Sequence, residues 1–385
     1  MGEPALARSD AARPRLTALT GGRARASVRE LRRADLPEVA AMFAETMGTT
    51  PPGTEAQLAG FFGRALLDHP WADPEIPSFV AESPAGGIVG LVGVQARRLR
   101  LGERDLRLAC LGFFAVHPHA RPGAIALTLA SEVMHGAQDA SVADSASVVV
   151  ERFFAPRHGG RVVELSGVHW VRAWRPGAVA DGLAPATTAR LRGCGPLHAL
   201  GRGIDRGSAR ASRRILAPER TDTVAQPLTP ALLLEHQPSI LPPDSLHVAY
   251  DEPYLTWLFT EMGRSPARGL PIAHLVRDGG GRALGWYVYY LRPGGRSEVM
   301  QIMARPRDHG AVLDHLLRHA WEHGSAMLRG RLEPGLTALV CRRRCMLWYR
   351  GGALAHARDP EVADALVHHG TLSRLDNEWF SDSLI

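Results

Sequence analysis

The spacing of apolar residues changes several times along the chain, and each change predicts an element. Ser27, Val28, Arg29, Glu30 and Leu31 alternate polar and apolar, the two-residue period of a half-buried strand. Asp35 then reads as an N-cap with Pro37 in the first turn, and Val39, Met42, Phe43 and Met47 fall on one helical face. A second helix is predicted over 54–67, with Leu58, Phe61, Phe62, Ala65 and Leu66 at helical spacing. Strands follow at 78–82, at 88–95 after a Gly86-Gly87 turn, and at 108–116, with another turn at Gly102. A helix over 125–134, a strand over 147–154, a short helical stretch at 162–165 and a strand over 168–173 complete the run.

Between Gly201 and Gln226 the periodicity fades into Arg, Ser, Gly and Ala, which reads as linker. A second run begins near Leu228. It holds a strand at 245–250, a helix at 252–261, strands at 270–277, 283–291 and 297–304, and an amphipathic helix at 311–322. A strand at 326–332, a helix at 336–344 and a strand at 345–349 close it. The two runs share an order of elements rather than residues. That repetition predicts a flexible arm over 1–25, a first unit over 26–200, a linker over 201–227 and a second unit over 228–385. The fold class expected is α/β (α+β), each unit a mixed, mostly antiparallel sheet flanked by helices. A length of 385 residues agrees, since single cores rarely exceed roughly 250–300 residues.

Composition narrows the function. All 45 basic residues are arginine, against 39 acidic ones, for a net charge of +6. The arginines are scattered among acids, whereas a nucleic-acid binder concentrates its charge on one element. Nucleic acid is therefore not expected, and an anionic, nucleotide-bearing ligand suits the residual charge. The four cysteines, Cys110, Cys194, Cys341 and Cys345, form no CxxC pair, which argues against a disulfide framework and for a reducing compartment. No run of about 18 apolar residues predicts a membrane span, and residues 1–25 lack the apolar core of a signal peptide. A cytoplasmic location is the expectation.

The most informative stretch is a buried strand ending in Phe114-Ala115-Val116-His117-Pro118, followed by Arg121-Pro122-Gly123-Ala124 and a helix opening at Ile125-Ala126. It resembles the acetyl-CoA motif of the GNAT (GCN5-related N-acetyltransferase) superfamily. In that family an Arg-x-x-Gly-x-Gly/Ala loop bares backbone N–H groups at a helix N-terminus, which bind the pyrophosphate. The strand before it splays from its neighbour and holds the pantetheine arm. Arg121 stands at the first motif position, Ala124 replaces the first glycine, and Ala126 fits the second small position. Pro122 removes one N–H donor, and Gly123 supplies flexibility one position early. Residues 28–36 and the run Gly167-Val168-His169-Trp170 look like the family's first and late elements, so the resemblance covers about 27–175. Asp251 to Trp257 and Leu372 to Trp379 look like segments of bacterial tandem GNAT proteins.

The resemblance implies acetyl-CoA, or another acyl-CoA, bound by Phe114, Ala115, Val116, Arg121, Pro122, Gly123, Ala124, Ile125 and Ala126. The second unit offers only Arg305, Arg307 and a single small residue, Gly310, at the matching junction, so it is expected to lack the cofactor. Aminolysis of a thioester needs a base and an acid. The family's usual acid is a tyrosine, yet all six tyrosines lie at or after Tyr250. The catalytic candidates are therefore His117, beside His119, Glu151, and a tyrosine lent by the second unit, Tyr287. His315, His319 and His323 lie four apart and could face a metal, but no HExxH frame accompanies them; a solvated face is the favoured reading and no metal is expected. The strand Trp286 to Tyr290 reads as core rather than as a sugar platform.

Two functions stay open. One is an acyltransferase moving an acetyl or acyl group from acyl-CoA to an amine or hydroxyl of a small-molecule, sugar or peptide acceptor bound between the units. The other is a catalytically inactive GNAT-fold module that binds a ligand or a protein partner. An aminoacyl transferase using charged tRNA would show a basic groove, which scattered arginines do not demonstrate. A homodimer is compatible with either.

Overall fold

The computed structural model describes residues 26–47, 55–120, 124–144, 159–175, 216–242, 244–333, 335–349, 351–369 and 372–377. In the first half these form β1 (Ser27–Glu30), α1 (Leu36–Met47), α2 (Glu55–Phe62, extended by a π-helical turn to Leu67), β2 (Phe79–Glu82), β3 (Ile88–Leu101), β4 (Arg104–Val116), α3 (Ile125–Met134), β5 (Ala140–Ala143), β6 (Arg161–Val163) and β7 (Val168–Ala173). The second half adds β8 (Val224–Pro227), α4 (Pro230–Ile240), β9 (His247–Val248), α5 (Glu252–Gly263), β10 (Leu270–Arg277), β11 (Ala283–Leu291) and β12 (Arg296–Ala304). It closes with α6 (His309–Glu322), β13 (Met327–Arg331), α7 (Thr337–Arg342), β14 (Met346–Tyr349), β15 (Ala353–Ala357) and α8 (Pro360–Asp364).

Local chemistry sets several boundaries. Thr229 caps α4 by accepting from the Leu232 amide at 3.2 Å, and Asp251 caps α5 by accepting from the Tyr254 amide at 2.9 Å. Asp35 is not the N-cap of α1. It closes a 3-10 turn just before the helix, accepting from the Arg32 amide at 2.7 Å. The stretch expected to be helical at 162–165 divides instead: the β-branched Val162 and Val163 join β6, and only Glu164–Gly167 turn. Val224–Pro227, inside the expected linker, pairs with β10 as an edge strand too short to show a period. The expected arm at 1–25 and strand at 147–154 lie outside the described residues.

The strands make two sheets, β1-β2-β3-β4-β5-β15-β6 and β8-β10-β11-β12-β13-β7-β14, with β9 added beside β3. Every pairing is antiparallel except β4 with β5 and β12 with β13. The two orders are the same plan read twice, with the last strands traded. β7 lies between β13 and β14, and β15 lies between β5 and β6. Strand membership thus crosses between the spans 26–200 and 228–385.

The inner faces of both sheets share one core with α1, α2, α4 and α5, through residues such as Leu108, Phe113, Tyr254, Trp286 and Tyr290. α3 covers the outer face of the first sheet and α6 that of the second. Among the described residues no helix is long and apolar enough to cross a membrane.

Residues 372–377 run through this shared core. Arg97, 1% exposed, donates from Nε to the Asp376 carbonyl at 2.9 Å, from Nη1 to the Ala96 carbonyl at 3.0 Å and from Nη2 to Gln95 Oε1 at 2.6 Å. The Asp376 carboxylate accepts from the Tyr250 hydroxyl and from the Ser373 amide and hydroxyl, both at 2.7 Å. Gln301 ties the cluster to the second sheet, donating to Ser373 Oγ at 3.0 Å while accepting from Trp286 Nε1 at 2.7 Å. Arg97→Met is expected to leave buried acceptors without a donor and to cost about 1–3 kcal/mol. A lower urea midpoint with an unchanged slope is the measurement that checks it.

Candidate functional site

The β3–β4 hairpin carries the feature on which a site can be built. Its register passes from Gly90 opposite Val116 and Leu91 opposite Ala115 to Gly93 opposite Gly112. Val92 therefore faces both Phe113 and Phe114, which is a β-bulge. Phe113 takes a left-handed backbone, with φ of 53°. Its ring is held edge-on against Phe43, Phe61 and Phe62 at centroid distances of 6.2, 5.7 and 5.2 Å. Gly93 makes room for it, since a Cβ there would lie 2.9 Å from the Phe113 ring. The extra residue reverses the side-chain alternation. Cys110, Phe113 and Ala115 all reach the shared core, and Phe114 is turned outward, 40% exposed.

On its other edge β4 pairs with β5 only where Leu108, Ala109 and Cys110 face Ala140, Ser141 and Val142. The described chain after β5 ends at Asp144. Among the described residues no strand lies beside 112–115 in place of β5. A Cβ on Gly112 would meet nothing within 4 Å. The candidate site is this bulged end of β4 and the start of α3.

In the second sheet the parallel pair β12 and β13 bonds only from Arg296 to Glu298 and then parts, leaving an opening. There the chain fills it. The Leu375 amide donates to the Met300 carbonyl at 3.0 Å, and the Glu333 carboxyl accepts from the Ile302 amide. Arg305 does not present a free fork to an anion. It donates from Nε to the Ser239 carbonyl and from Nη1 to the Ala283 carbonyl, each at 2.8 Å, and it pairs with Asp308.

At the end of β4, Ala115 and Val116 are buried. The His117 amide donates to the Val89 carbonyl at 2.9 Å, and its Nε2 lies 3.2 Å from Glu45 Oε1 on α1. His119, exposed, sits with its ring 5.1 Å from that of His117. Ala124 is exposed and Ile125 and Ala126 are half-buried, so small side chains flank the first-turn amides of α3. Arg121, Pro122, Gly123 and Glu151 lie outside the described residues.

Tyr287 is not brought to the end of β4. It is buried on the outer face of the second sheet, its hydroxyl 3.0 Å from His274 Nδ1 and 3.1 Å from His315 Nδ1. Tyr289 likewise meets His319 Nδ1 at 2.8 Å. His315 and His319 are therefore half-buried against tyrosine hydroxyls rather than on a solvated face, and only His323 is exposed. Among the described residues no group of acids, histidines and cysteines could hold a metal ion. Residues 286–290 are all buried, as a core strand.

No family model matches the sequence, and no curated protein matches it. Solved structures do match. A GCN5-related N-acetyltransferase from Anabaena variabilis superposes with a TM-score of 0.55 at 9% identity, over 87% of this chain and 73% of its own. One from Kribbella flavida gives a TM-score of 0.52 at 13% identity, over 90% and 74%. The chain has the GNAT fold. At such identities the likeness is one of architecture, and activity has to be argued from the site.

Within this GNAT fold lies a cavity of about 140 Å³ that the sequence did not foreshadow. It sits between the halves, beside the end of β5. Val142, Asp144, Ser166, Arg331, Glu333 and Asn377 are among the residues lining it. Asp144 accepts from Arg331 Nη1 at 2.7 Å and from Asn377 Nδ2 at 2.8 Å, and Arg331 Nη2 also donates to the Leu372 carbonyl at 2.6 Å. Burial pushes the Glu333 carboxyl up to about 8; Arg331 opposes this and Asp376 adds to it. These groups come from separate segments with no shared motif, so no sequence signal marks them.

The histidine cluster carries a pH dependence. Burial first, then His323, His274 and His315, push His319 down from 6.5 to about 3. Across that window the unfolded chain binds a proton that the folded chain refuses, so this contribution is lost as pH falls. Between pH 7 and pH 4 the wild type is expected to lose more thermal midpoint than His319→Gln, as melting curves across that range will read.

Proposed function

We propose that the protein transfers an acetyl or related acyl group from acyl-CoA to an amine or hydroxyl of a small-molecule, sugar or peptide acceptor. The observation that carries this reading is the bulge that sets Val92 opposite both Phe113 and Phe114 and turns Phe114 outward near the end of β4, before α3. A bulge leaves one residue's backbone groups outside the β3–β4 ladder, which suits the amides of a pantetheine arm. Phe114, Ala115 and Val116 would line that arm. Arg121, Pro122, Gly123, Ala124, Ile125 and Ala126 would meet the diphosphate at the start of α3. The thioester supplies the activated acyl group. His117, within reach of Glu45, would carry a proton at the end of β4. In this scheme the unit over 26–200 binds the cofactor, and the unit over 228–385, whose opening is filled, does not.

A second reading is a silent GNAT-fold module that binds a ligand or partner. It is favoured by the engagement of Tyr287 away from the end of β4, which leaves the first half without a tyrosine acid.

Titration with acetyl-CoA by calorimetry separates the two. The wild type is expected to bind. Arg121→Glu, which reverses the charge at the diphosphate, and Gly112→Leu, which places a side chain in the open space beside β4, are each expected to weaken binding at least tenfold. Absence of heat and of any thermal shift with the wild type would leave only the silent reading.

A further inference from the structure

β14 is the last strand of the second sheet, and among the described residues it pairs on one side only, with β7. Its side chains are unusual for an edge. Met346, Leu347 and Tyr349 are 46%, 42% and 57% exposed, and Trp348 between them is half-buried. Edges are ordinarily guarded by charge, proline or a bulge, because their spare N–H and C=O groups invite another strand. The four residues of β14 include no charge and no proline, and their pairing with β7 runs without a shift of register. Leu347 and Tyr349 share one face of the strand. The Tyr349 ring is backed by chain rather than loose, since a Cβ on Gly167 would lie 2.7 Å from it.

Charge sits just before the strand, and it is of one sign. Arg342 ends α7, and Arg344 turns the chain into β14. Both are exposed, and neither is in an ion pair among the described residues. Arg343 between them is already bonded to Asp314, at 2.6 Å from Nη2. The turn is a helix-ending motif in which the Cys345 amide donates to the Val340 carbonyl and the Arg344 amide to the Cys341 carbonyl, each at 3.0 Å. Its turning residue is left-handed, and Arg344 has a φ of 57°. Glycine takes that conformation without strain, so the backbone holds a guanidinium, at a cost, two residues from an apolar edge.

We propose that the free edge of β14 binds an extended acidic segment of a partner protein, added as a further strand of the second sheet. Main-chain hydrogen bonds supply the pairing, alternate apolar side chains of the segment pack on Leu347 and Tyr349, and its carboxylates meet Arg342 and Arg344. Charge selects this occupant. A second copy paired through the same edge would bring a second run of Arg342, Arg343 and Arg344 to a surface that is already basic. Residues 176–215 of the same chain carry seven arginines and two acids, the wrong sign as well. The assignment does not rest on the acyl-transfer reading, since β4 belongs to the other sheet.

The test uses the full chain and a dye-labelled heptapeptide that alternates glutamate with valine, read by fluorescence anisotropy at low salt. One counterpart replaces every glutamate by lysine. Another replaces the central valine by proline, which removes a strand donor. The wild type is expected to bind the glutamate peptide saturably, with a Kd of about 1 mM or tighter, weakened at least threefold by about 0.5 M salt. The lysine and proline peptides should bind at least tenfold more weakly. Leu347→Glu, at an exposed position, should weaken the glutamate peptide at least tenfold with its thermal midpoint unchanged. Arg344→Gly should weaken it at least threefold while the thermal midpoint holds or rises, a split that a purely structural role for Arg344 would not give. No saturable binding of the glutamate peptide, equal binding of the lysine or proline peptide, or undiminished binding in both variants would each overturn the assignment. Sedimentation of the wild type as a dimer that Leu347→Glu converts to a monomer would give the edge to a second copy and overturn it too.

Discussion

The exchange of β7 and β15 is the constraint on which the rest of the structure depends. Buried backbone N–H and C=O groups must be paired, and in both sheets the strand that pairs them near one end comes from the other half. β7 is bonded on one side to β13 and on the other to β14, while β15 is bonded to β5 and β6. Neither sheet can complete its ladder without the other. The trade holds the inner faces together over one shared core, and it sets the end of β5 beside Arg331 and Glu333, where the cavity lies.

The two halves use one plan with opposite results. Each has a pair of parallel strands bonded over three residues, and in the second half these strands then part. In the second half the parting is consumed by Leu375 and Glu333, which take up the Met300 carbonyl and the Ile302 amide. In the first half, Phe113 is held in a left-handed conformation by three phenylalanine rings and by the missing side chain at Gly93. Strain of that kind, of order 1–3 kcal/mol, persists only where surrounding packing enforces it. The bulge turns Phe114 outward beside a strand edge that no described segment covers.

Burial and charge sort the carboxyl groups between the halves. Burial alone would raise Glu298, but Arg374, Arg329, Arg268 and Arg296 outweigh it and hold the group at about 2. Glu333 faces one arginine and a second acid, and burial prevails, at about 8. Without lysine, every such contact is made by a guanidinium, which stays charged even when enclosed. The same chemistry therefore gives an arginine-ringed carboxylate at Glu298 and a carboxyl that burial keeps high at Glu333.

The sequence by itself determined which segments become helices and strands wherever the apolar period was long. The helix over 125–134 and the strands over 270–277 and 283–291 are local outcomes, settled by side-chain spacing. The strand-to-helix passage after Val116 was equally legible. Tertiary structure alone decided which strand each one joins, because an alternating stretch such as 168–173 specifies a face and not a neighbour. It decided that Tyr287 and His315 meet away from the end of β4, that Val92 opposes two phenylalanines, and that Asp144, Arg331, Glu333 and Asn377 converge. Those contacts span up to hundreds of residues, and they are selected by the closing of a core shared between two sheets rather than by any pattern within a segment.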